Sequence, residues 1–248
     1  MQLPAPPPWI AGHRGAAAEA LENTLASFAL AVEQGADLVE LDAQLTPDGV
    51  LVLLHDPTYA RVAGSDLRPE REPWSALASL RLHDGSAPAR LDDLFAALPA
   101  DFPVNVELKR TEAAIEPLAA AAGRLADRPN TLVSSFDWPL LDAVRARAPF
   151  LALAPIAGDD ASVDDLRRAA ARLGAWSIHV SRALARRALA PLGRDGRRVL
   201  CFTVNDPGEA RYLLDSGASG VFSDSPGALR RALRLSTPAS IRMLDSSP

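Results

Sequence analysis

Short apolar runs alternate with helix-like segments rich in alanine, leucine and arginine from residue 9 almost to residue 234. This alternation is typical of parallel strands joined by helical crossovers. A chain of 248 residues is long enough for one large α/β barrel. We therefore predict an α/β fold with a strand in each of these segments: 9–13, 37–42, 50–56, 103–109, 131–136, 150–156, 176–180, 198–205 and 219–224.

The chain is expected to form one domain over residues 1–248, with two irregular parts. Nine extended segments are one more than an eight-stranded barrel needs, and the sequence does not identify the extra one. Residues 43–49 are too few for a crossover helix, so we expect a plain return or a hairpin there. Residues 57–90 carry prolines and scattered charges, and they are expected to form an insertion on the face of the strand ends. Residues 235–248 are expected to be a loosely held tail.

Charge and cysteine content limit the partners and the compartment. A net charge of −5 does not favour binding to nucleic acid, so we expect a small-molecule partner. The single cysteine, Cys201, cannot form an intramolecular disulfide, and the first residues lack the pattern of a secretion signal, so we expect a cytoplasmic location. No apolar run approaches the roughly 18 residues that span a bilayer, so no stable membrane anchor is expected. The oligomeric state is not predicted.

Charged residues are spaced by two in two of the predicted strands. Glu40 and Asp42 share one face of their strand, and Glu107 and Lys109 share one face of another. If the strands are neighbours, three carboxylates and one ammonium meet near the strand ends, where barrel enzymes carry their chemistry. Buried carboxylates require a counter-ion, and oxygen ligands favour Mg²⁺, Ca²⁺ or Mn²⁺ over Zn²⁺. The alternative is a solvated face that pairs with some of the many arginines.

Two of the four histidines stand where a predicted strand ends, His13 in GHRG and His55 in LLHD. Two neutral imidazoles across a pocket can act as general base and general acid, although each taken singly fits a structural role equally well. Arg14 follows His13, and its planar guanidinium suits bidentate contact with a phosphate. Gly12 and Gly15 are expected to let the backbone come close to such a group.

Lys109 is the only lysine among 26 lysine and arginine residues. A site that needs a compact ammonium rather than a flat guanidinium would explain this choice. Three carboxylates, a divalent cation, Lys109 and Arg14 give the site a net charge of about +1, which a singly charged phosphodiester would neutralise. We therefore expect an anionic substrate. The other histidines, His83 and His179, are assigned to a loop and to core packing.

The motifs, taken in order, resemble those of the glycerophosphodiester phosphodiesterase family, most closely its short cytosolic bacterial members. A single GHRG is a weak signal, whereas an ordered set from about residue 9 to residue 232 is a strong one. The resemblance implies a TIM-type (β/α)8 barrel with a small insertion after the HD strand, which fits residues 57–90. The motifs are GHRG (12–15), LENT (21–24), VELDAQLTPDG (39–49), LLHD (53–56), NVELK (105–109), SSF (134–136), FTVN (202–205) and GVFSD (220–224).

The resemblance also implies a reaction. Family members hydrolyse glycerophosphodiesters, such as deacylated phospholipids, to sn-glycerol 3-phosphate and an alcohol. The mechanism usually proposed has the glycerol 2-hydroxyl attack phosphorus, after which water opens a cyclic phosphate. For this chain the resemblance implies Glu40, Asp42 and Glu107 as ligands of Mg²⁺ or Ca²⁺. It implies His13 and His55 as the acid and base pair. It implies Arg14 and Lys109 as contacts to the phosphate.

The chain departs from the family pattern at three places. The usual PENT is LENT here, but we still expect Asn23 to cap the first helix and Glu22 to brace Arg14. In the insertion, residues 59–64 (YARVAG) keep the arginine and glycine of the usual pattern but not its threonines, which leaves the preferred alcohol group open. Ser223 stands where threonine is commoner.

Three other functions compete with this interpretation. A relative that cleaves lysophospholipids in phospholipase D fashion needs an apolar channel for the acyl chain, and the insertion offers few apolar residues for one. A catalytically silent barrel that binds phosphodiesters is expected to have lost a histidine or a carboxylate, and this chain keeps all five. A barrel aldolase or isomerase does not require two strand-end histidines beside an HRG turn. We therefore predict a metal-dependent phosphodiesterase.

Overall fold

The structure is a computed structural model that describes residue 1 and residues 6–236. Within this part of the chain there are nine strands, and each overlaps one of the nine predicted segments. The strands are β1 (Trp9–His13), β2 (Leu38–Leu45), β3 (Leu51–Leu53), β4 (Val104–Leu108), β5 (Thr131–Ser135), β6 (Ala152–Ala157), β7 (Ile178–Ser181), β8 (Val199–Phe202) and β9 (Gly220–Ser223).

Eight of the described strands form a closed parallel barrel. Around the barrel the order is β1, β2, β4, β5, β6, β7, β8 and β9, and β9 pairs with β1 to close the ring. β3 runs antiparallel to β2, with Leu53 opposite Ala43. β3 is therefore the extra segment, and the short connection before it is a hairpin. The predicted TIM-type (β/α)8 barrel is confirmed.

Helices alternate with the barrel strands. The longest described helix has 13 residues, and no helix in the described ranges has the length and apolar character needed to cross a membrane. The helices are α1 (Leu25–Glu33), α2 (Ala60–Ala63), α3 (Trp74–Leu77), α4 (Leu91–Ala97), α5 (Ile115–Gly123), α6 (Trp138–Arg147), α7 (Val163–Arg172), α8 (Arg182–Arg194), α9 (Pro207–Asp215) and α10 (Pro226–Leu233), with a 3₁₀ turn at Arg124–Asp127.

The start of α1 differs from the prediction. Thr24, not Asn23, is the N-cap, and its hydroxyl oxygen accepts a hydrogen bond from the Ser27 amide at 3.2 Å. Asn23 instead has a left-handed backbone with a φ of 56°, which asparagine tolerates better than most residues. Its side chain turns toward Asp42. This position therefore links the start of the helix to the second barrel strand.

The inward faces of the strands carry an apolar layer below a polar one. Trp9 and Leu38, at the amino-terminal ends of β1 and β2, belong to one buried cluster with Phe222. Strand alternation places His13 and Glu40 on the same inward faces further along. Larger apolar clusters fill the space between the barrel and its helices. Packing on both sides of the barrel wall thus holds the polar side chains at the carboxyl-terminal end.

The insertion expected over residues 57–90 lies between β3 and α4 and contains the short helices α2 and α3. Tyr59 and Val62 bury their side chains in a small apolar cluster with residues of β3. Glu70 accepts hydrogen bonds from the backbone amides of residues 111–113, which follow β4. The insertion therefore lies on the face of the barrel formed by the strand carboxyl ends.

The expectation of one domain over residues 1–248 stays a prediction. Of the tail expected over residues 235–248, residues 237–248 lie outside the described residues. The amide of Leu235 donates a hydrogen bond to the carbonyl of Arg230 at 3.1 Å.

Candidate active site

The GHRG motif forms the turn that leaves β1. A Cβ atom on Gly12 would lie 2.9 Å from the Cβ atom of Ala31, and one on Gly15 would lie 2.0 Å from the Ser27 hydroxyl oxygen. Gly15 also has a φ of 89°, a left-handed value that favours glycine. The glycines let the turn pack directly on α1, whereas the prediction from the sequence was that they let the backbone come close to a phosphate. This packing fixes the two residues between them.

The strand register places the predicted side chains next to one another. His13 pairs with Glu40 across β1 and β2, and Asp42 pairs with Glu107 across β2 and β4. One carboxylate oxygen from each of the three acidic residues lies within 4.8 Å of the others. Glu40 and Asp42 are buried, and the Glu107 side chain is 12% exposed. The structure thus brings together the carboxylates that the spacing by two placed on shared strand faces.

Burial and neighbouring charges act differently on the three carboxyls. Burial, followed by the charge of Asp42, raises the pKa of Glu40 to about 8 and also raises the pKa of Glu107. Burial acts in the same direction on Asp42, but the charges of Lys109 and Arg14 outweigh it and lower the pKa of Asp42. The two cations therefore outweigh burial at Asp42 but not at Glu107, and the three carboxylates exceed the two cations in charge. Such a buried, oxygen-only set fits a hard divalent cation.

Lys109 lies between two of these carboxylates. Its Nζ atom is 2.6 Å from Oε1 of Glu107 and 3.3 Å from Oδ1 of Asp42. Burial lowers the pKa of Lys109, but the Glu107 and Asp42 charges outweigh burial and raise it. The side chain is 17% exposed, so a charged ammonium stands at the edge of the carboxylate cluster.

His13 is held by residues from the far end of the chain. Its Nδ1 atom lies 2.7 Å from Oδ1 of Asp224, and Nδ2 of Asn205 donates to Oδ2 of Asp224 at 2.7 Å. Because a carboxylate only accepts, Nδ1 carries a proton and Nε2 is left for a ligand. Burial lowers the pKa of His13, but the Asp224 hydrogen bond and the Glu40 charge outweigh it and raise the pKa. His13 is therefore suited to donate a proton.

His55 is more exposed than His13, and its pKa is shifted in the opposite direction. Its Nδ1 atom lies 2.7 Å from Oδ1 of Asp56. Burial lowers the pKa of His55, and the Lys109 and Arg14 charges act in the same direction, so that together they outweigh the nearby carboxylates. An imidazole with a lowered pKa is neutral near pH 7, and His55 is suited to accept a proton.

Carboxylates orient Arg14 on two sides. Its Nη1 atom donates to Oε1 of Glu22 at 3.0 Å, the contact expected for the LENT motif, and its Nε atom lies 3.1 Å from Oδ2 of Asp42. Asn23 secures Asp42 through two hydrogen bonds, from its Nδ2 to Oδ2 at 2.9 Å and from the Asp42 amide to its Oδ1 at 3.1 Å. The β1–α1 loop therefore positions both the guanidinium and one of the carboxylates.

A cavity of about 140 Å³ opens at this end of the barrel, and six of the eight predicted site residues line it. Asp42 and Glu22 do not line the cavity but contact side chains that do. Later strands supply an aromatic side to the cavity, where His179 and Phe222 pack edge to face with ring centres 4.8 Å apart. The lining residues are His13, Arg14, Glu40, His55, Asn105, Glu107, Lys109, Phe136, Ile156, His179, Phe202, Thr203 and Phe222.

Three residues of the site have no role predicted from the sequence, although each lies in one of the motifs: Asp56, Asn205 and Asp224. The available signal was a carboxylate at a strand end: Asp56 directly follows His55, and Asp224 directly follows β9. The partner of Asp224 lies 211 residues away in the sequence, because closure of the barrel brings β9 beside β1. That pairing depends on the strand register and is not visible in local spacing.

The fold and the site define a class of enzyme, a TIM-type barrel with clustered carboxylates, two histidines and two basic side chains around a cavity suited to a small anion. The model of the glycerophosphoryl diester phosphodiesterase family matches residues 13–228. The chain therefore belongs to this family, and the resemblance and the enzyme class predicted from the sequence are confirmed.

Relatives match along nearly the whole chain. An uncharacterised protein of Bacillus subtilis is 30% identical over 88% of this chain and 95% of its own length. A glycerophosphodiester phosphodiesterase of Caldanaerobacter subterraneus is 27% identical over 91% of this chain and 97% of its own. Among solved structures, a phosphodiesterase of Oleispira antarctica in complex with the product sn-glycerol 3-phosphate superposes with a TM-score of 0.82 at 27% identity, covering 92% and 97% of the two chains.

Proposed function

We propose that this chain hydrolyses glycerophosphodiesters to sn-glycerol 3-phosphate and an alcohol. The observation that carries the proposal is the convergence of two aspartate-bound histidines, clustered carboxylates and two basic side chains on one cavity. Family membership supports the same reaction, since a structural neighbour binds sn-glycerol 3-phosphate as its product.

Binding of the phosphodiester is assigned to the charged wall of the cavity. Glu40, Asp42 and Glu107 would hold one divalent cation, Mg²⁺ or Ca²⁺, with Mn²⁺ as a third candidate. When bound, such a cation supplies positive charge that stabilises the negative charge of the phosphoryl oxygens. Arg14 and Lys109 line the same cavity and contact the phosphate directly, the first through its planar fork and the second as a point charge.

Proton transfer is divided between the two histidines. His55 accepts the proton of the attacking hydroxyl at Nε2, and His13 donates its Nε2 proton to the oxygen of the departing alcohol. If the glycerol 2-hydroxyl attacks, the first product is a cyclic phosphate, which water opens with the two histidines in reversed roles. Detection of glycerol 1,2-cyclic phosphate would support this route. Incorporation of solvent oxygen in a single turnover, with no cyclic species, would contradict it.

Location and partners are part of the same proposal. A cytoplasmic location is supported by the single cysteine, Cys201, which is buried and free. The net charge of −5 supports a small-molecule substrate rather than nucleic acid. The carboxylate cluster is compatible with one metal ion, and the two basic side chains of the cavity are compatible with one small anion.

The test compares two substrates that differ by one acyl chain. Purified protein is given glycerophosphocholine or lysophosphatidylcholine with Mg²⁺, and release of sn-glycerol 3-phosphate and of choline is measured. We expect cleavage of glycerophosphocholine. Cleavage of the lysophospholipid alone would replace the proposed substrate with the lysophospholipase D alternative. Binding of glycerophosphocholine without cleavage of either compound would favour the silent barrel.

A further inference from the structure

Arg61, in helix α2 of the insertion, makes an unusually complete set of ionic hydrogen bonds. Its Nε atom donates to Oδ2 of Asp56 at 2.6 Å. Its Nη1 and Nη2 atoms donate to the two oxygens of Glu22 at 2.8 and 2.6 Å. One guanidinium therefore binds two carboxylates that belong to different loops of the barrel.

Each of these carboxylates also contacts a residue that lines the cavity. The other oxygen of Asp56 lies 2.7 Å from Nδ1 of His55. Oε1 of Glu22 accepts from Nη1 of Arg14 at 3.0 Å. Arg61 thus stands at the junction of two short chains of hydrogen bonds, one to an imidazole and one to a guanidinium.

We propose that Arg61 is a positioning residue that holds His55 and Arg14 in place for the reaction and makes the insertion a working part of the active site. This inference rests on the proposed phosphodiesterase function. Arg61 acts through Asp56 and Glu22 and does not line the cavity itself.

Charge gives Arg61 a second effect in the same direction. Without it, Asp56 and Glu22 would add more negative charge beside a cavity that receives an anion, since Arg14 would be the only guanidinium left to pair with Glu22. Hydrogen bonds from Arg61 also lower the pKa of both carboxyls against the effect of burial, so both stay ionised acceptors. A lysine could offer one point charge but not the fork that spans two carboxylates.

The contacts of Arg61 are separable from the folding of the insertion. Its side chain is 48% exposed, and an exposed ion pair adds little to stability. The insertion is instead anchored by buried apolar side chains, among them Tyr59 and Val62 on either side of Arg61 in the sequence. Replacement of Arg61 should therefore change the site while leaving the fold intact.

The experiment measures kcat and KM for glycerophosphocholine in wild-type protein and in Arg61→Gln, Arg61→Lys, Glu22→Gln and Asp56→Asn. Arg71→Gln is the matched control, since Arg71 also lies in the insertion and binds both oxygens of one carboxylate, Glu112, away from the cavity. Thermal unfolding of every variant is recorded beside the kinetics.

We expect Arg61→Gln to lower kcat/KM by about 10- to 100-fold, the range for loss of a residue that orients active-site groups. This loss should combine a rise in KM with a fall in kcat. Glu22→Gln should reproduce the rise in KM, because it releases Arg14 from Glu22. Asp56→Asn should reproduce the fall in kcat, because it weakens the contact that holds His55. In the double variant Arg61→Gln/Glu22→Gln the KM effect should not add. Arg61→Lys should recover part of the activity, and Arg71→Gln should match the wild type.

Two outcomes would overturn the inference. The first is that the wild type is active and Arg61→Gln has the same kcat and KM as the wild type. That result would refute the role of Arg61 and leave the proposed function unaffected. The second is a loss in Arg61→Gln that Arg71→Gln shares or that follows a drop in the unfolding temperature, which would make the role merely structural. If the wild type releases no product from any glycerophosphodiester, the proposed function fails first and this inference falls with it.

Discussion

The Nδ1 atom of His13 lies 2.7 Å from Oδ1 of Asp224, so the end of the first barrel strand is bound to the residue that follows the last one. Burial lowers the pKa of His13, and the Asp224 hydrogen bond is the largest of the effects that raise it overall. Removal of the negative charge in Asp224→Asn should therefore lower the pKa of His13. Since the proposed acid must be protonated, the alkaline limb of the pH–rate profile should move to lower pH, and kcat should fall by about tenfold or more.

The measurement is kcat/KM against pH for the wild type, Asp224→Asn and Asp66→Asn, the last being an exposed carboxylate of the insertion that serves as control. An alkaline limb at the same pH in all three proteins would contradict the role given to Asp224.

A substrate with a better leaving group should separate the two histidines. A glycerophosphodiester of p-nitrophenol needs no proton on its departing oxygen, whereas the choline ester does. We expect His13→Ala to lose about 100-fold or more in kcat/KM, which reports the steps up to release of the alcohol, with the choline ester and far less with the p-nitrophenyl ester. His55→Ala should impair both substrates, because both need a base. Equal losses in His13→Ala on the two esters would show that His13 is not the acid.

The lone lysine should resist replacement by arginine. The Nζ atom of Lys109 lies 2.6 Å from Glu107 and 3.3 Å from Asp42, a gap that suits a compact ammonium. A guanidinium there would compete with Arg14 and the metal for space, so Lys109→Arg should lower kcat/KM by about tenfold or more. Steady-state kinetics at saturating metal test this, and a variant as active as the wild type would leave the single lysine without a functional explanation.

Buried His179 predicts a dependence of stability on pH. Burial lowers its pKa to about 3, whereas an exposed histidine has a pKa of about 6.5. Between these values the unfolded chain binds a proton that the folded chain excludes, so this contribution is fully present above pH of about 6.5 and is lost as pH falls. One such group changes the free energy of unfolding by about 1.4 kcal/mol per pH unit.

Urea unfolding at pH 6.5 and pH 5 measures this effect. His179→Gln should lose about 1.6 kcal/mol less than the wild type between these pH values, because the variant lacks the group that titrates. His83→Gln, which removes an exposed imidazole, controls for general effects of the substitution. Equal losses in His179→Gln and the wild type would assign the acid sensitivity to other residues.

Local patterns in the sequence were sufficient for the barrel and for most of the site. Alternation of apolar and helical segments predicted the positions of the eight barrel strands, since each parallel strand needs a crossover helix to reach the next. Spacing by two placed Glu40 with Asp42 and Glu107 with Lys109, because side chains alternate along a strand. The seven residues 43–49, between the predicted segments 37–42 and 50–56, predicted a return too short for a helix.

Contacts across the fold could not be predicted in this way. β3 lies outside the barrel because it pairs antiparallel with β2. This pairing is not visible in the local sequence pattern. The residue type of Asn23 suits both a helix cap and a left-handed turn, and only the contact with Asp42 decides between them. Arg61 belongs to a family pattern, but its partner Glu22 lies 39 residues away in the sequence, in a different loop from Asp56.

The central claim is that the cluster of Glu40, Asp42 and Glu107 supports metal-dependent hydrolysis in the cavity beside it. Release of sn-glycerol 3-phosphate from glycerophosphocholine is measured in EDTA and after addition of excess Mg²⁺, Ca²⁺ or Mn²⁺, for the wild type and for Glu107→Gln. We predict no release in EDTA, recovery in the wild type with at least one metal, and little recovery in Glu107→Gln at the same metal concentration. Full release in EDTA, or no release with any metal from folded wild-type protein, would contradict the account.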